Sequence, residues 1–343
     1  MRVLAAIACF LVLAAGGAAY YVYQGLQPVN PVGQPVMKNV TIPKGSSVKE
    51  IGELLEEQGL IRDATLFAYY VKLKGIGSRL QAGDYQFQTG QPVDQLLQSM
   101  VAGDTVVNTV RFTVPEGWNV EQIASALEKK GLVNKQKFLQ EVNSGSFPEF
   151  PFVASIPQKK GRKYRLEGYL FPETYEVEKG ATEHEIIAKM LAQFQKELKP
   201  DWTAKLKQRN MSLDDAVNLA SIVEREVVVD KERPIVAGVY FNRLREGWLL
   251  QADATVQFIL GKQRDRITYD DLKINHPYNT YVHPGLPPGP IASPGRASLA
   301  AVVQPATHDY FFYVTKKDGS SEHYFSKTLE EHLAKDALSR KKQ

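Results

Sequence analysis

Apolar positions recur at three- and four-residue spacing in successive stretches of this chain, punctuated by Pro-x-Gly and glycine turns. Val48, Ile51, Leu54 and Leu55 predict a helix after the turn Pro43-Lys44-Gly45, with Gly59 placed where a helix C-cap needs positive φ. At an offset of 72 residues the pattern returns. VTIPKGSSVKEIGELLEEQGLI (Val40–Ile61) matches FTVPEGWNVEQIASALEKKGLV (Phe112–Val133). Pro43, Gly45, Val48, Ile51, Leu55, Gly59 and Leu60 align with Pro115, Gly117, Val120, Ile123, Leu127, Gly131 and Leu132. Each copy reads as a short β-branched strand, the turn, a helix and a second short helix, Leu66–Lys72 or Lys135–Val142. Strands at Leu80–Gln88 and Val106–Val110 interleave with them, and two copies are too few for a solenoid.

The most legible helix is Ser212–Val228, with Ser212 at its N-cap and Asp215 three residues on. At 100° per residue, Leu213, Ala216, Val217, Ala220, Val223 and Val227 form one apolar stripe, and Glu224 falls inside it. Glu226 lies off the stripe, while Asp214, Asn218 and Arg225 make a polar face. A carboxylate facing a core is costly unless paired or neutral, and burial raises its pKa toward what a general acid needs. The alternative is an ion pair with Arg233 or Arg243. A second helix, Lys231–Glu246, closes at Gly247 and carries Asn242 and Arg243. Gln251 and Asp253 follow, with Asp253 capping a short helix that stops at Gly261. The run HPYNTYVHPGLPPGPIASPG (His276–Gly295) is proline-rich and aromatic and lacks acidic, Lys and Arg side chains. Its Tyr278, Asn279, Thr280 and Tyr281 suit a sugar-binding cleft. LEGYLFPETYEV (Leu166–Val177) adds Glu167, Tyr169, Glu173 and Tyr175, and strand periodicity puts Glu173 and Tyr175 on one face. Asp309–Asp336 reads as a hairpin turning at Asp318-Gly319, followed by a helix.

Composition changes this picture at one place. The 343 residues carry a net charge of +4, too little to argue for nucleic acid, and their 43% hydrophobic content excludes disorder. Between Met1 and Met37 the only charged side chain is Arg2. Val3–Tyr23 is long enough for a membrane span, with Tyr20, Tyr21 and Tyr23 at an interface. A cleaved signal peptide is the competing reading, and segment length favours the anchor. Gln24–Pro35 is a Pro/Gly tether, which leaves the rest of the chain outside the cytoplasm, close to the membrane. Cys9 is the single cysteine, so no internal disulfide forms. His184-Glu185 lacks the second histidine of a zincin, which has Ala188 in its place; neither metal nor cofactor is expected.

The strand–helix–helix copies resemble a LysM-like module, a glycan-binding class, with a ligand-free scaffold as the alternative. LEGYLFPETYEV, LASIVEREV, ERPIVAGVYFNRLREGWLLQADATVQFILG, YNTYVHPGLPPGPIASPG and HYFSKTLEEH resemble, in order and spacing, the YceG-like (MltG-type) endolytic murein transglycosylases. Ala254 departs from the proline common at that position.

The resemblance implies a lyase that cuts the β-1,4 bond from N-acetylmuramic acid to N-acetylglucosamine within peptidoglycan strands. It leaves 1,6-anhydromuramoyl ends and terminates strand elongation, with peptidoglycan synthases (penicillin-binding proteins) as partners at the membrane. It implies that the glutamate of Ser-Ile-Val-Glu, Glu224, is catalytic, as acid and then base. Glu173, Tyr175, Asn242, Gln251, Asp253, Thr255, Asn279 and Tyr281 are the candidate cleft residues. A hydrolytic muramidase would need a second carboxylate, for which Glu173, Glu226 and Asp253 are available; a non-catalytic glycan-binding scaffold is the third reading. The expected fold class is α+β: a single N-terminal transmembrane helix and tether (1–37), a small LysM-like β-α-α subdomain (38–110), a second repeat-like unit (111–165) and a mixed α+β catalytic domain (166–343).

Overall fold

The structure, a computed structural model, describes the chain except residues 1–15, 18–19, 30–33, 107–108, 262–263, 265–266 and 342–343. It is mixed α+β. The expected transmembrane helix is corrected: among the described residues, no helix is long and apolar enough to cross a membrane. Most of Val3–Tyr23 lies outside those residues. The chain divides into two units, Met1–Asn108 and Thr109–Gln343.

The first unit pairs β1 (Met37–Ile42) antiparallel with β2 (Gly83–Gln88), with Val40 opposite Tyr85. Val40, Ile42, Tyr85 and Phe87 alternate inward and bury against α1 (Val48–Glu57), α2 (Ala64–Lys74) and α3 (Val93–Ala102). Ser47 and Glu50 form a capping box that starts α1, and Asp63 caps α2 through Thr65 and Leu66. Gly52 lets α1 approach α2 closely; a Cβ there would meet the Ala64 carbonyl at 3.0 Å.

The second unit opens with the second copy: β3 (Thr109–Thr113), α4 (Val120–Lys129) and α5 (Lys135–Ser144). Asn119 and Gln122 replace Ser47 and Glu50 as the capping box. The partner of β3 is β4 (Thr174–Glu178), with Phe112 opposite Tyr175. Both copies therefore run β-α-α-β, and the second carries residues 145–173 as an insertion before its last strand. Tyr175 faces the core while Glu173 is exposed just ahead of β4. The expected shared face fails because Glu173 is outside the strand.

Six helices and a hairpin follow: α6 (Glu183–Glu197), α7 (Trp202–Gln208), α8 (Leu213–Glu226), α9 (Arg233–Arg245), α10 (Asp253–Leu260), α11 (Arg296–Val303), then β5 (Phe312–Thr315), β6 (His323–Ser326) and a last helix α12 (Leu329–Arg340). Ser212 caps α8 by accepting from the Asp215 amide at 3.0 Å. Every residue from Ala216 to Val223 is buried, so α8 is the central helix. Asp214 and Asn218 of its expected polar face are buried too. Asp214 binds Arg162 at 2.8 Å and the Tyr169 hydroxyl at 2.9 Å, and Asn218 donates to the Pro287 carbonyl at 2.7 Å. Polar groups enter a core when each finds a partner.

Glu167 of the inserted segment is fully buried and accepts the Val120 amide at the start of α4 at 3.1 and 3.2 Å. Burial pushes its carboxyl up to about 8. Folding therefore takes up a proton between the ordinary carboxylate range and about pH 8. Stability is highest below that window and falls as pH rises through it. Glu167→Gln keeps an acceptor for Val120 and removes the slope. Urea midpoints taken at about pH 5 and about pH 8 should differ in the parent and converge in the variant; an equal decline in both proteins contradicts this account.

Candidate active site

The proline-rich run His276–Gly295 lies along α8 on a ladder of side chains. Asn218 donates to Pro287 O at 2.7 Å, Ser221 Oγ accepts Ile291 N at 3.0 Å, and Glu224 Oε2 accepts Gly295 N at 2.9 Å. Residues 218, 221 and 224 recur every three residues on one side of the helix, and the loop meets them every four. Glu224 is thus the third rung. Its Oε1 faces Arg233 Nη1 at 3.1 Å, and its side chain is only 5% exposed. Arg233 in turn binds Asp230 at 2.9 Å and Ser298. Glu116, from the Pro-Glu-Gly turn of the second copy, completes the cluster. Its carboxylate lies against Gly295, where a side chain would collide with it. Burial, then the charge of Glu224, raises the Glu116 carboxyl above its usual range.

Glu226, one half-turn further, has different surroundings. It ends α8, and its Oε2 accepts the Tyr313 hydroxyl at 3.0 Å. Tyr240 shares a 2.7 Å hydroxyl contact with Tyr313, and the backbone N–H of Ala254, in the first turn of α10, also reaches the carboxylate. Dense packing, opposed by the Tyr313 bond but reinforced by the charge of Asp253, pushes the Glu226 carboxyl up. Asp253 is exposed beside it and accepts the Tyr281 hydroxyl at 2.6 Å. A part-buried carboxyl of raised pKa, next to an exposed carboxylate–tyrosine pair, has the parts of an acid site.

Of the other expected cleft residues, Gln251, Thr255 and Asn279 pack around this corner. Thr255 and Thr280 are buried and in mutual hydroxyl contact at 2.9 Å; Thr280 also accepts the Ala252 amide at 3.0 Å. The amide of Gln251 donates to Thr280 O at 3.1 Å, and Gln251 itself is exposed with φ of 49°. Asn279 is buried, donates to Leu272 O and Ile274 O, and accepts the Tyr281 amide at 3.0 Å. These bonds hold Asp253 and Tyr281 side by side. Asp253 is the first residue of α10, not its cap, because its carboxylate is turned to Tyr281. Asn242 donates to His308 O and Tyr310 O at 2.9 Å, and Arg243 to Phe311 O at 2.8 Å. Together they fasten α9 to the strand that delivers Tyr313. Tyr175 donates to Phe171 O at 2.6 Å within the core, and Glu173 stays on the surface, its Oε1 accepting the Thr174 amide.

Sequence reasoning missed Glu116, Tyr240 and Tyr313. Glu116 had a signal: it replaces Lys44 of the first copy at an otherwise matched turn. The tyrosines had none, because their meeting depends on two elements 73 residues apart in the chain.

Residues 40–337 match the model of the YceG-like family. The endolytic murein transglycosylase of Bacillus subtilis (strain 168) is 36% identical over 323 residues, covering 92% of this chain and 88% of that protein. The endolytic murein transglycosylase of Streptococcus pneumoniae serotype 2 is 32% identical over 345 residues, which span 93% of this chain but 62% of the longer relative. A crystal structure of a yceG-like protein from Listeria monocytogenes is 34% identical with a TM-score of 0.58, covering 87% of this chain and 98% of that one. Motifs, fold and relatives agree: the chain belongs to the YceG-like family.

Proposed function

We propose that this chain is an endolytic murein transglycosylase, a lyase that cuts peptidoglycan strands internally outside the cytoplasm, and that Glu226 is its acid. The family membership supports the reaction. The observation that carries the residue is the contrast between two neighbouring glutamates. Both oxygens of Glu224 are occupied by Arg233 and Gly295, whereas Glu226 is held above its usual pKa beside the exposed Asp253–Tyr281 pair.

In this reading protonated Glu226 donates to the glycosidic oxygen as the bond to muramic C1 breaks. The carboxylate formed then takes the proton of the C6 hydroxyl as O6 bonds to C1. The proton count on Glu226 is restored and no water is consumed. Asp253, oriented by Tyr281, faces the positive charge that develops on the sugar. Glu224 and Arg233 position the loop that carries Gly295. The β-α-α-β first unit, with its LysM-like element order, is an additional glycan contact. Mass analysis of fragments released from purified murein tests the reaction: anhydro ends are lighter than hydrolysed ends by one water, and a product set made only of reducing ends would overturn it.

A further inference from the structure

A cavity of about 870 Å³ opens between the start of α10, the Ile267–Leu272 segment and α12. Its size lies in the range of ligand sites, about 300–1,000 Å³. Asp253 and Tyr281 form one wall, so it is continuous with the corner that holds Glu226. At the rim Tyr269 is 82% exposed. His332 lies on another wall, stacked on Phe312 with ring centroids 5.3 Å apart. Its Nδ1 is buried and has no hydrogen-bond partner among the described residues. Burial holds that imidazole below its usual pKa, so it is neutral near pH 7.

The described lining carries two carboxylates, Asp253 and Asp336, and one cation, Arg340. Asp336 binds Arg340 at 2.8 Å, and Asp253 accepts Tyr281. Among the described lining residues the one cation, Arg340, is held by Asp336, and the carboxylates disfavour an acidic ligand. The walls are also too polar for a lipid chain. An uncovered aromatic face beside carboxylates that can accept from sugar hydroxyls fits a neutral sugar ring.

We infer that this cavity is a saccharide subsite that binds N-acetylhexosamine units of the glycan backbone, on one side of the bond being cut, and does not read the acidic stem peptide. The inference rests on the cleavage reading above and places Tyr269 as a stacking platform for a pyranose.

The test uses the full chain and glycan strands stripped of peptide. Tyr269→Ala should raise KM roughly tenfold, about 1.4 kcal/mol of binding, while kcat stays within about twofold. Tyr269→Phe should restore KM, because stacking needs the ring and not the hydroxyl. Calorimetry with the tetrasaccharide of N-acetylglucosamine should show the same loss and recovery without any catalysis. An unchanged KM and unchanged tetrasaccharide affinity in Tyr269→Ala overturn the subsite. So does displacement of the tetrasaccharide by free stem peptide. A parent protein that binds the tetrasaccharide through Tyr269 but releases no anhydro product overturns the cleavage reading instead.

Discussion

Glu226→Gln is expected to lower release of anhydro-ended fragments roughly a thousandfold, within the range of about 10²–10⁴ contributed by a positioned general acid. The amide keeps the shape and can still accept from Tyr313, so the fold should persist and the loss should fall on kcat. Glu224→Gln should retain more than about a tenth of the activity, since a glutamine oxygen can still accept from Gly295 or Arg233. Measuring both variants on the same murein, with circular dichroism to confirm folding, decides between them. A folded, inactive Glu224→Gln beside an active Glu226→Gln would assign the acid to Glu224. The pH profile is a second check. Glu226 is raised by burial first and further by Asp253, so kcat/KM should fall as pH rises through that raised value. Asp253→Asn removes a negative neighbour, lowers the Glu226 pKa and should shift this alkaline limb to lower pH.

Arg233→Ala is expected to destabilise the second unit by about 3–5 kcal/mol, the usual cost of stripping one partner from a buried ion pair. It leaves Glu224 the Gly295 amide among the described residues and sets Glu116, already raised by burial and by Glu224, beside an uncompensated carboxylate. Adding Glu224→Gln should recover part of that loss, because the orphaned charge is gone. Urea midpoints for the two single variants and the double variant measure the coupling. A double variant no more stable than Arg233→Ala would mean that the pair contributes nothing to holding the loop.

Local chemistry made much of the fold legible. The Pro-x-Gly turns, the paired capping positions Ser47/Glu50 and Asn119/Gln122, and the spacing of Ile51 and Leu55 or Ile123 and Leu127 announced both copies. Ser212 announced α8, and Asp318-Gly319 the hairpin. The site was legible only as a neighbourhood. LASIVEREV, the FNR sequence of α9 and the YNTY run come together, but helical periodicity could not show what meets the two glutamates. It placed Glu224 on a core-facing stripe without showing that a loop 71 residues away would cover it. It placed Glu226 off the stripe without showing Tyr313, 87 residues away, above it.

By itself, then, the sequence determined the elements, their caps and turns, and which segments carry the chemistry, because those depend on neighbours within a few residues. Which carboxyl meets Arg233 and which is buried beside Tyr313, and that Asn279 and Thr255 are buried near Asp253, was decided only in the folded chain. A carboxyl's burial and its partners come from segments distant in sequence, and no local pattern encodes that meeting.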